Sequence, residues 1–169
     1  MTNHFKDQLT RKIADFLNGI GIAVVAAEIA VETFLPGILV QNGRLLVDES
    51  KLLYPGDLLH EAGHLALADG GLRETLSGEV DFPGVVMEPV ESQAIAWSYA
   101  AALYIGLEPA VVFHDNGYKG NAKGLLLNFG LGAYIGVSGV QAAGLTAVGA
   151  NAAKLGVPPY PHMIKWVKE

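Results

Sequence analysis

Residues 60–64 read His-Glu-Ala-Gly-His, and no other segment restricts the fold as much. Two residues four apart on a helix share a face, about 40° apart at 100° per residue. Leu58, Leu59, Leu65, Ala66, Leu67 and Ala68 flank the pair and are compatible with a helix. A helix this rich in leucine should be buried, and buried imidazoles need polar partners. Two imidazoles on one face can share a zinc ion, with Glu61 beside them as general base on zinc-bound water. The rest of the chain must then carry a further ligand to this helix.

The spacing predicts a metal-binding helix over about 57–69. Pro55-Gly56-Asp57 reads as its start, with Asp57 as N-cap, and Asp69-Gly70-Gly71 as its stop. Gly63 costs roughly 1 kcal/mol of helix propensity against alanine, which implies that something packs closely on that turn.

A catalytic zinc usually takes three protein ligands and keeps one position for water. A third histidine six residues after the second would extend the motif in one known way, but Gly70 stands there. The remaining candidates are Asp69, Glu74, Glu79, Asp81, Glu88, Glu91, His114 and His162. Asp69 faces away round the helix, and Glu74, Glu79 and Asp81 fall in a polar loop over 70–87. Glu91 is the first choice, at the start of a helix whose Ala94, Ala101 and Ala102 allow close packing. Glu88, just before Pro89, is the second. An acid in a first helical turn also offsets the macrodipole, whatever else it does.

Phe5, Leu9, Ile13 and Phe16 recur at helical spacing and end at Gly19. A short strand is expected at 22–25 and a helix around 27–34. Residues 38–41, Asn42-Gly43 and 44–48 form a strong hairpin signal, and 44–48 is expected to be an edge on which an extended substrate can pair. The glutamate helix should run from Pro89 to about 104. A small-residue helix fits 138–155, and a last helix starts near Pro161. The order points to a single α+β domain over 1–169, with a hairpin sheet, a metal helix, a glutamate helix and additional C-terminal helices.

The net charge of −6 and pI of about 5.3 argue against nucleic acid as the main partner. The chain has no cysteine, which excludes disulfides and thiolate zinc sites and fits a reducing, cytoplasmic setting. The polar first residues do not read as a signal peptide. Residues 125–150 carry no charge and are long enough to span a bilayer. Asn128, Ser138, Gln141, Thr146 and repeated glycines interrupt them, so a buried glycine- and alanine-rich loop and helix is the reading preferred to a membrane span.

Over residues 40–106 the chain resembles the ImmA/IrrE-type zinc metallopeptidases, a gluzincin branch. Gly43-Arg44-Leu45-Leu46-Val47-Asp48 looks like the family's strand before the metal helix. His60-Glu61-Ala62-Gly63-His64 matches that helix, and Glu91-Ser92-Gln93-Ala94-Ile95-Ala96-Trp97-Ser98 looks like its glutamate helix. The chain departs from the family before the metal helix, and again in its nearly uncharged C-terminal part. The resemblance implies zinc held by His60, His64 and Glu91, Glu61 as base, and a peptide or protein substrate. Tyr54, His114 and Tyr118 are the candidates to stabilise an oxyanion. Rival readings are a catalytically silent or partner-activated regulatory protein, and an intramembrane zinc protease. Tyr160 and His162 fall in a proline-rich bend that reads as a packed C-terminal cap.

Overall fold

In the computed structural model the described residues are 5–78 and 87–169. Helix α1 (Gln8–Gly19) starts where the Asp7 carboxylate accepts the backbone N–H and hydroxyl of Thr10, at 2.7 and 2.8 Å. It buries Ile13, Ala14 and Leu17. Three strands follow: β1 (Val24–Ala26), β2 (Ile38–Gln41) and β3 (Arg44–Val47). Asn42 and Gly43, at φ 50° and 70°, make the turn of the β2–β3 hairpin, as a type I′ turn requires.

The sheet order is β1-β3-β2, with β1 parallel and β2 antiparallel to β3. Residues 44–48 are therefore not the expected edge: β3 is central, its backbone groups shared between two neighbours. On its far side β2 meets residues 76–78, where the Gly78 N–H donates to the Val40 carbonyl at 2.8 Å.

The helix expected at 27–34 does not form. Only Ile29 of that stretch is deeply buried, too little apolar surface to hold a short helix. Its backbone is tied outward instead. The Ile29 N–H donates to the Asp48 carboxylate at 3.1 Å, and the Lys51 ammonium donates to the Ile29 carbonyl.

Helix α2 (Asp57–Leu67) carries the histidines, and the short α3 (Gly70–Arg73) turns away from it. The Arg73 guanidinium donates to the carbonyls of Leu65 and Ala68, at 2.7 and 2.9 Å. It thereby satisfies acceptors that the helix end leaves open. Helix α4 (Met87–Tyr104) is apolar on almost every side, with Ala94, Ala96, Trp97, Ala100, Ala101 and Ala102 buried. Such a helix must run through the interior. It packs on α2, and the two form the centre of the core.

The glycine-rich part folds as α5 (Ala122–Gly130), α6 (Val137–Ala142) and α7 (Gly149–Leu155). The single helix expected at 138–155 is broken at Gly144, φ 75°, and Thr146 pairs with Met163 in an isolated bridge. The stretch is less buried than its composition suggests, since Leu127 and Leu131 are largely exposed. Among the described residues no helix is long and apolar enough to cross a membrane.

No helix follows Pro161. The backbone there bonds to other elements: the Ile164 N–H donates to Leu145, the Lys168 N–H to Ala66 in α2, and the Trp97 indole N–H to the Trp166 carbonyl. The Tyr160 hydroxyl donates to the Ala96 carbonyl at 2.8 Å, so the proline-rich bend is packed against α4.

Candidate metal centre

His60 and His64 leave the same face of α2, their rings at 89° with centroids 4.9 Å apart. His64 is buried and His60 nearly so. From α4 the Glu91 carboxylate reaches across both, with Oε2 3.1 Å from His60 Nε2 and Oε1 3.1 Å from His64 Nε2. Hydrogen bonds from His60 and then His64 hold that carboxyl far below the usual carboxylate range. Among the described residues the Nδ1 atoms of both rings are buried without a hydrogen-bond partner, and both Nε2 atoms face Glu91. Glu61 completes the group: His60, Glu61 and His64 each bring a ligand atom within 4.8 Å of the others.

Gly63 explains how Glu91 gets there. A Cβ at this position would stand 3.0 Å from the Ala94 carbonyl oxygen and 3.1 Å from its Cα. The missing side chain lets α4 lie directly on the turn between the two histidines. Behind α4, a Cβ at Gly136 would stand 1.9 Å from the Ser92 carbonyl oxygen. The glycine-rich segment thus presses on the turn of α4 that carries Glu91.

Asp57 is not an N-cap. It is the first residue of α2, Gly56 precedes it, and no side chain caps the helix. The Asp57 carboxylate instead accepts from His114 Nε2 at 2.7 Å. A Cβ at Gly56 would stand 1.9 Å from the Val111 carbonyl oxygen, and this close approach brings the 3-10 turn Pro109–Val111, and His114 after it, to the helix start. Burial pushes the Asp57 carboxyl up, against the opposing pull of His114. The His114 ring stacks on Tyr54, with centroids 4.0 Å apart and planes at 10°. Sequence reasoning missed this pair because 57 residues separate its members and Asp57 had a local explanation as a helix cap.

Tyr118 closes the other side. Its ring packs edge-on against His60 at 5.6 Å and against Phe113 at 5.4 Å. Its hydroxyl is buried and has no hydrogen-bond partner among the described residues. Burial first, then the charges of Asp57, Glu91 and Glu61, push the phenol pKa far up, so it stays protonated. Tyr118 and Lys119 both sit in the left-handed region, at φ 57° and 54°. Two consecutive non-glycine residues there cost of order 1–3 kcal/mol each. These groups line a cleft of about 440 Å³, together with residues 34–36, within the usual size of ligand sites.

The other candidate ligands lie elsewhere. Asp69 pairs with Lys168 at 2.7 Å, Glu74 and His162 are exposed, and His114 is held by Asp57. Glu79 and Asp81 lie outside the described residues, as does the side chain of Glu88.

The donor set fits a zinc ion. Two imidazoles and a carboxylate suit that metal, and each Nε2 already faces one Glu91 oxygen at 3.1 Å. Comparison with family models, with curated proteins and with solved structures returned no match.

Proposed function

We propose that the chain is a zinc-dependent peptidase of the gluzincin kind, related to the ImmA/IrrE-type enzymes and acting in a reducing compartment such as the cytoplasm. One observation carries the reading: the Glu91 carboxylate spans both histidine Nε2 atoms at 3.1 Å, while Glu61 lies within 4.8 Å of the same two histidines. His60, His64 and Glu91 would hold the metal. A zinc ion held there would supply Lewis acidity to the nucleophile and to the scissile carbonyl.

The chain's own groups do the rest. Glu61 takes a proton from the water nucleophile as it attacks the scissile carbonyl, and returns it to the leaving nitrogen. The protonated Tyr118 hydroxyl, buried and without an acceptor among the described residues, donates to the oxygen on which charge develops. Of the three candidates for that role, Tyr54 is stacked on His114. His114 has its Nε2 engaged by Asp57 at 2.7 Å. The Asp57–His114 pair stands beside Tyr118 in the same cleft, with the His114 and Tyr118 ring centroids 6.4 Å apart.

The test is Glu61→Gln in a zinc-loaded preparation offered an end-blocked peptide library. Wild type should cleave some members, and the variant should keep its zinc and cleave none. Equal cleavage by both proteins overturns the role of Glu61. Silence of the wild type on every peptide makes the chain a zinc-fold protein without peptidase activity.

A further inference from the structure

One wall of the cleft is unlike the rest. Phe34 and Pro36 are exposed and Leu35 is half-buried, yet all three line the same space as His60 and Glu61. Phe34 is 79% exposed, the largest exposure among the described large hydrophobic side chains. An apolar surface left open beside reactive groups marks a binding site more often than an accident of packing.

The wall is also held in place. Its loop is anchored where the Ile29 N–H meets the Asp48 carboxylate, and the Thr33 hydroxyl donates to the Leu35 carbonyl at 2.7 Å. Tyr54, which lines the same space, lies flat on His114 and adds a second aromatic face to the cleft. Two of the acids lining the cleft are already engaged: Asp57 is bonded to His114, and Glu91 to His60 and His64.

We infer that the cleft selects peptides with a bulky apolar or aromatic side chain beside the scissile bond, seated against Phe34 and Leu35 and reaching towards Tyr54. This deepens the peptidase reading and rests on it for the position of the scissile bond. Burying one such side chain gives about ten- to a hundred-fold in affinity over a small or charged residue.

The experiment measures binding apart from cleavage. Zinc-loaded Glu61→Gln is titrated with end-blocked peptides that differ at one central residue: phenylalanine, leucine, alanine, aspartate or lysine. Phenylalanine and leucine peptides should bind at least about ten-fold more tightly than the other three. Adding Phe34→Ala should reduce that spread to about three-fold, and adding Phe34→Leu should restore most of it. Phe34 is exposed, so neither change should alter thermal stability. Equal binding of all five peptides overturns the inference, as does a preference that survives Phe34→Ala. If the preferred peptide binds tightly but wild type does not cut it, the apolar subsite stands and the peptidase reading falls.

Discussion

Glu91 places one carboxylate between two imidazoles whose Nδ1 atoms are buried without a partner among the described residues. Replacing Glu91 with alanine should lower zinc affinity by at least about 100-fold, more than loss of an outer partner of a ligand costs; competition with a chromogenic chelator measures this. Tyr118→Phe makes the opposite split. It should keep zinc and melting temperature while reducing kcat by about 10²–10³ with little change in KM, the usual cost of one oxyanion donor. An unchanged kcat would leave Tyr118 as a wall. At this scale the sequence is most readable where chemistry is local. His60, Glu61 and His64 form a five-residue pattern, and their shared face follows from helix geometry alone. Asp57 was legible only as a helix-start residue, because its real partner His114 arrives through the contact of Val111 with Gly56.

Two helices meeting across a glycine position the centre, so backbone contact at the element scale controls chemistry. Gly136 is the clearest probe. It combines a φ of 78° with a Cβ position 1.9 Å from the Ser92 carbonyl oxygen. Gly136→Ala should cost about 2 kcal/mol or more in stability and should weaken zinc binding as the first turns of α4 shift. Gly130→Ala, where nothing lies within 4 Å of the new Cβ, should be neutral or stabilising. Urea unfolding and zinc titration of both variants check the contrast. Periodicity and turn chemistry gave α1, the β2–β3 hairpin, α2 and α4 close to their observed bounds, because each is specified by neighbours in the chain. It failed at 27–34 and after Pro161. There the backbone is held by Asp48, Leu145, Ala66 and Trp97, partners that no local pattern announces. The edge position of β3 failed likewise, since strand order is a property of the sheet and not of the strand.

Across the whole molecule, Asp48 links the sheet to the loop that carries the apolar wall. Hydrogen bonds from Ser50 and the Ile29 N–H hold its carboxyl below the ordinary value of 3.8. A depressed folded pKa contributes stability that is complete above the unfolded value and is lost as pH falls through the folded one. Asp48→Asn should therefore be less stable than wild type at neutral pH, and the gap should close below about pH 4. Melting temperatures across that range measure it; a constant gap would mean that the carboxylate charge is irrelevant. The α2–α4 meeting has one more consequence. Glu91 follows His64 by 27 residues, so an ion gripping both would act as a clasp on the chain. A cross-link closing a loop of that size removes about 3.5 kcal/mol worth of freedom from the unfolded chain. The residues that make the centre reactive would then also make it a fastener, and a molecule stripped of its ion would lose rigidity along with chemistry.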